Sequence, residues 1–247
     1  MLQDKDIPVL DDEPLPDEAA APVADETEAK SLISQVTGLI DDVRILAHAE
    51  VELSFYGGMQ SAPASDVSIR GDGVIPDQDF SQDWEGRSFD APPYYGIRAT
   101  SWQSPSFGIG IDFVHSKVYP EDGDLPTGFD VLEFTDGLNV LTVNAYRRWT
   151  DAFGNITPYV GGGIGVALPH VEVTYSAGAG SETFGYQLTG PAATWIAGAS
   201  MPINENWAVF GEYKGTFSSN TADLDTGGTL ESDIFTNAVN VGVSFNF

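Results

Sequence analysis

Three histidines occur in the 247 residues, and two of them, His115 and His170, stand near carboxylates. Glu133 and Asp136 follow His115, and Glu172 lies two residues beyond His170. Imidazole nitrogens with carboxylate oxygens suit divalent, non-haem iron or copper ions. The same pairing suits general acid–base catalysis. His115, His170, Glu133 and Asp136 are therefore candidate catalytic residues, and these four with Glu172 are candidate metal ligands. Lys117 is a candidate substrate contact, as are Arg98 and Lys214 if they reach the same end of the protein. Glu212, beside Lys214 on the same strand face, completes the candidate substrate-binding set. Other chemistries are excluded. The chain has no cysteine, which removes disulfides and thiolate metal sites. No Ser-His-Asp order, phosphate loop or HExxH spacing is present. The run Gly161-Gly162-Gly163-Ile164-Gly165 lacks the following helix of a nucleotide site and reads as close packing in a strand.

The elements that carry these residues alternate with period two, the mark of strands with two unlike faces. Eight such stretches follow Glu50, at about 50–59, 94–102, 107–116, 138–149, 157–168, 186–201, one opening at Trp207, and 234–247. In the last, Val239, Val241, Val243, Phe245 and Phe247 alternate with Asn240, Gly242, Ser244 and Asn246. The connections alternate too. Those at 103–106, 151–155 and 203–206 are short, and those at 60–93, 117–137, 168–185 and 218–233 are long. Short turns at one end, long loops at the other and a final aromatic strand predict an all-β fold: an eight-stranded antiparallel transmembrane β-barrel of the bacterial outer membrane. Such a barrel has the outer membrane and its barrel-assembly machinery as partners. No apolar run reaches the roughly 18 residues that a spanning helix needs.

Charge sets further limits. The formal net charge is −27, which argues against nucleic acid as a partner because nucleic acid needs a basic face. Acidic external loops repel anionic headgroups unless divalent cations bridge them. Alternation puts Arg98, Asp112, Glu212 and Lys214 on the inward face, in a barrel too narrow for a channel. Buried there, they are expected to pair with one another. With both termini periplasmic, His115, Lys117, Glu133, Asp136, His170 and Glu172 fall at the outer rim.

Residues 1–48 form a separate region. The first 30 are crowded with Asp, Glu, Pro and Ala, a composition that cannot bury enough apolar surface to fold and predicts disorder. Leu32, Val36, Leu39, Ile40, Val43 and Leu46 recur at helical spacing and predict one short amphipathic helix. Ala47-His48-Ala49 has the small-x-small form of a signal cleavage site, but Asp41, Asp42 and Arg44 make the preceding stretch too polar for a signal core.

At the rim the chain carries Pro93-Tyr94-Tyr95-Gly96-Ile97-Arg98, Asp112-Phe113-Val114-His115-Ser116-Lys117 and Glu133-Phe134-Thr135-Asp136-Gly137-Leu138-Asn139. It also carries Pro158-Tyr159-Val160-Gly161, Pro169-His170-Val171-Glu172 and Phe210-Gly211-Glu212-Tyr213-Lys214. From Glu50 to Phe247 these segments resemble the lipid A oxidase family of outer-membrane barrels from rhizobia and related bacteria. The resemblance implies oxidation of the proximal glucosamine of lipid A to aminogluconate. It also implies molecular oxygen as co-substrate, a divalent metal ion as cofactor and lipid A or lipopolysaccharide of the outer leaflet as partner. The competing class is a non-enzymatic surface barrel (adhesive, immune-facing or membrane-stabilising) that acts through its external loops. A lipid A deacylase using His115 and Ser116 ranks last, since adjacent strand residues point to opposite faces.

Overall fold

The computed structural model describes residues 50–150, 152–176 and 182–247. The expected disordered segment and helix of residues 1–48 lie outside the described residues. Twelve strands appear among those described: β1 (Glu50–Ser61), β2 (Ser65–Arg70), β3 (Gln78–Gln82), β4 (Trp84–Glu85), β5 (Tyr95–Ser104) and β6 (Phe107–Pro120), then β7 (Phe129–Arg148), β8 (Thr157–Tyr175), β9 (Glu182–Tyr186), β10 (Gly190–Pro202), β11 (Trp207–Asp223) and β12 (Thr229–Asn246). Eight of them, β1, β5, β6, β7, β8, β10, β11 and β12, pair antiparallel in that order, and β12 returns to β1 to close the ring. The seam is well knit, with Glu52 opposite Asn246 and Ser61 opposite Asn237.

The wall shows which solvent it meets. Leu53, Phe55, Ile97, Ile111, Val143, Ile164, Val239 and Val241 all point outward and are exposed. The residues between them, among them Arg98, Asp112, Asn144, Thr194, Glu212 and Asn240, are buried inside. An apolar exterior around a polar interior is stable only where the surroundings are hydrocarbon. Trp149, Trp207, Phe107, Phe245 and Phe247 gather at the end with the short turns, while Tyr95, Tyr213, Phe217 and Phe235 mark the other edge of the belt. These are the two interfacial girdles of a transmembrane barrel. The protein is an outer-membrane β-barrel.

The strands run further than the membrane alternation predicts. β7 begins at Phe129 rather than 138, β8 ends at Tyr175 rather than 168, and β12 begins at Thr229 rather than 234. The long connections hold β2, β3, β4 and β9. Period two persists there, but its sense inverts. Along β12, Leu230 and Ile234 point inward and Glu231 and Asp233 outward, whereas Phe235, Val239 and Val241 point outward below them. Above the membrane the solvent is water, so the apolar residues must turn to the inside. The external parts form two facing sheets, β2–β3 with the tops of β11 and β12, and β4 and β9 with the tops of β6, β7 and β8. Between them lies one apolar cluster that includes Val67, Ile69, Leu132, Phe134, Val171, Val173, Leu230 and Ile234. The Phe80 and Phe129 rings meet across it at 6.1 Å. This roof caps the barrel.

Candidate functional site

Inside the membrane-spanning part, four charges neutralise one another. Arg98 donates through Nε to Asp112 Oδ2 at 2.8 Å, and through its two terminal nitrogens to Glu212 at 2.7 and 3.0 Å. Lys214 Nζ donates to Asp112 Oδ1 at 2.6 Å. The Tyr56 and Tyr159 hydroxyls donate to Asp112 and Glu212. Arg98, Lys214 and Glu212 therefore stand in the barrel interior, satisfied by one another, and do not join the rim residues. The inward placement and mutual pairing expected of these four charges are what the geometry shows. The cavity beneath, between Glu52, Arg148 and Ser244, has about 30 Å³, room for a water or two and no ion path.

The rim residues lie on the outer wall. β6 and β7 carry an irregularity just above the membrane belt. Ser116 faces Leu138, yet Val118 already faces Phe134, so β7 has two extra residues at this level. Gly137, with φ +89°, takes up the distortion. A Cβ there would sit 2.5 Å from the His115 ring and 2.8 Å from the Ser116 carbonyl oxygen. Only glycine lets the imidazole lie flat against the strand.

His115 points outward on the same face as Ile111 and Phe113, and its other side stacks on Tyr95 with centroids 5.3 Å apart and planes 26° apart. Nδ1 is 2.8 Å from Asn139 Oδ1 on the neighbouring strand. The residue is 5% exposed, and Nε2 has no hydrogen-bond partner among the described residues. An unsatisfied buried acceptor costs on the order of 1–3 kcal/mol. His115, Asp136, Asn139, Tyr95, Phe113, Leu168, Tyr186 and Pro92 line one open groove of about 670 Å³. Phe113 and Leu168 belong to its apolar lining, and Asp136 supplies a carboxylate.

The other candidates sit nearby rather than in the groove. His170 pairs with Tyr186 across β8 and β9, with its ring edge-on to Phe184 at 4.3 Å and to Tyr186 at 4.7 Å. Its Nδ1 has no hydrogen-bond partner among the described residues. His115 faces Asn139, which faces Leu168, so His170 is two strands across and two residues up. At ~4.8 Å per strand and ~3.4 Å per residue that separates the two histidines by about 12 Å along the wall. Glu133 and Glu172 face each other across β7 and β8 on the roof. Lys117 is buried, with its backbone N–H donating to Gln60 Oε1 at 2.8 Å and its Nζ 4.8 Å from the Tyr119 ring centre. Burial holds the Lys117 ammonium below its ordinary value, against the opposing charges of Asp90, Asp136 and Glu133. Burial, and next the charge of Glu133, push the Tyr119 hydroxyl up to about 12. Among the described residues no three of His, Asp or Glu gather as a metal would need. The groove brings together His115 and Asp136, a two-donor set.

Sequence reading missed Asn139, Gly137, Tyr95 and Tyr186. Asn139 shares the outward parity of Leu141 and Val143, where a polar residue next to the lipid belt is the available signal.

No family model matches the chain, and no curated protein matches it. Among solved structures the chain is similar to Neisserial surface protein A, at 13% identity over 80% of this chain and 97% of that one, with a TM-score of 0.42. It is also similar to the outer membrane protein OprG from Pseudomonas aeruginosa, at 10% identity over 81% and 96%, TM-score 0.44. A third is the outer membrane protein AlkL in lipid bilayers, at 15% identity over 81% and 90%, TM-score 0.44.

Proposed function

We propose that this barrel is an outer-membrane enzyme that binds lipid A in the His115 groove and oxidises its proximal glucosamine to aminogluconate, consuming molecular oxygen. The observation that carries the reading is the groove's two-sided chemistry. On the outer wall it joins the apolar Phe113 and Leu168 to the polar His115 and Asp136. A glycolipid joins the same two kinds of part, acyl chains and a polar sugar. Tyr95 and Tyr186 supply aromatic walls for a sugar, and His115 Nε2 and the Asp136 carboxylate supply acceptors for its hydroxyl groups.

The resemblance implies a divalent metal. The groove's own imidazole and carboxylate do not complete a ligand set. The role of the chain's residues is to orient the sugar, and His115 Nε2 is the atom placed to take a proton from it. The test is incubation of the refolded barrel in detergent with lipid A, oxygen and a panel of divalent metals, read by mass spectrometry. Gain of one oxygen atom, lost without oxygen, on chelation and in His115→Ala, supports the enzyme. An unchanged spectrum with normal heat-modifiable gel mobility refutes it. That result would favour a non-enzymatic surface barrel, for which the compact roof and its outward Asp66, Asp79, Glu231 and Asp233 already provide a rigid acidic surface.

A further inference from the structure

We infer that Asn139 is the positioning residue of the groove: it holds the His115 Nδ1–H and so dedicates Nε2 to accepting a hydrogen bond from a hydroxyl group of the bound sugar. This rests on the glycolipid reading above.

The direction of the bond follows from the neighbours of the amide. Asn139 Nδ2 lies 3.5 Å from the backbone carbonyl oxygen of Asp136, to which it donates. Reversing the amide would set two oxygens against each other there and leave its NH2 aimed at the imidazole. Oδ1 is therefore the end that faces His115, and at 2.8 Å it accepts from Nδ1. A neutral imidazole carries one ring proton. With that proton on Nδ1, Nε2 presents a lone pair. The ring is fixed in this orientation by Tyr95 stacked on one side and the bare backbone of Gly137 on the other. Nε2 is itself buried and has no hydrogen-bond partner among the described residues, and His115 lines the groove. Whatever meets that atom must bring a donor, because an acceptor would face a second lone pair. The hydroxyl groups of a glycolipid's sugar are donors of this kind. Sequence reading could not assign the atom, since the assignment depends on a strand partner 24 residues away.

The experiment uses the full chain, labelled with 15N-histidine and refolded in detergent micelles, with His115→Gln to assign the resonances. The expected spectrum shows His115 protonated at Nδ1 and unprotonated at Nε2. Asn139→Asp keeps an acceptor opposite Nδ1 and is expected to retain both that tautomer and lipid A binding, titrated by the same resonances. Asn139→Leu removes the acceptor and shifts His115 toward the Nε2–H form. Its lipid A affinity falls by roughly 3- to 10-fold, the worth of one hydrogen bond, while heat-modifiable mobility stays normal. A wild-type Nε2–H tautomer, with lipid A still bound, overturns the role of Asn139 and leaves the glycolipid reading standing. So does an Asn139→Leu variant that changes tautomer and binds as tightly as wild type. The expected tautomer in a wild-type barrel that binds no lipid A overturns the glycolipid reading, and with it the sugar hydroxyl as the partner of Nε2.

Discussion

Replacing Arg98 with Met tests whether the interior charges are a structural unit. The side chain makes three charge-assisted hydrogen bonds, at 2.7, 2.8 and 3.0 Å, to two carboxylates that are fully buried. In wild type the group holds two positive and two negative charges. Arg98→Met leaves Lys214 alone against Asp112 and Glu212, one uncompensated negative charge in the barrel core. Removing one partner of a buried ion pair costs about 3–5 kcal/mol. With a urea dependence of about 2 kcal/mol per molar, the unfolding midpoint in lipid vesicles falls by roughly 2 M. Tryptophan fluorescence and gel mobility both read it. Arg98→Met combined with Glu212→Gln restores neutrality, with Lys214 facing Asp112, and is expected to recover at least half of the loss. Loss within about 0.5 kcal/mol, the range of ordinary surface substitutions, refutes the reasoning. So does a double variant whose losses simply add, because the argument depends on net charge and not on the count of bonds. Lipid A binding in Arg98→Met is expected to match wild type, since the groove is on the other side of the wall.

Three further predictions concern the wall and the roof. Val241, 71% exposed within the lipid-facing belt, changed to Arg destabilises by about 2–4 kcal/mol, while Glu231→Arg ten residues up β12 changes stability by under about 0.5 kcal/mol; vesicle unfolding checks both. Gly137→Ala meets both the positive φ and the His115 ring, so it costs about 1–3 kcal/mol and displaces the imidazole, seen as lost ring-current shifts from Tyr95. Asp72 ties three external segments together. Burial opposes its ionisation, but hydrogen bonds from Thr226, Tyr175 and the Val74 and Ile75 amides outweigh burial and hold the carboxyl below its ordinary value. Its folded form therefore gains stability above the ordinary carboxylate range and loses it as pH falls through the depressed value. Hydrogen-exchange protection at residues 72–77, taken relative to the intrinsic rate at each pH, is expected to fall on acidification in wild type and to be low at every pH in Asp72→Asn.

The membrane part of the fold was legible because one parity of each strand is apolar without interruption, as in Val239, Val241, Val243 and Phe245. The inward placement of Arg98, Asp112, Glu212 and Lys214 followed from the same parity, and their pairing followed from the cost of burying charge. The roof was not legible for an equally physical reason. At Ile234-Phe235 the apolar set changes sides between adjacent residues, and a search for one phase reads the change as the end of the strand. In the candidate site, His115 and Asp136 line one groove. His170 was expected beside them, but lies about 12 Å away along the wall, because strand order and stagger decide lateral distance and residue type does not. Asn139 and Gly137 gain their meaning from an irregularity in β7 that involves two neighbouring strands at once.

The change of sides along β12 also fixes how deep the molecule floats. An inserted pair of residues between Ile234 and Val239 would preserve every facing and lift the roof by about 5 Å, from ~3.3 Å per residue and a strand tilt near 40°. One inserted residue would instead turn every membrane valine to the interior. Draught is thus written into the chain as a count of residues, and the height of the His115 groove above the hydrocarbon is inherited from it.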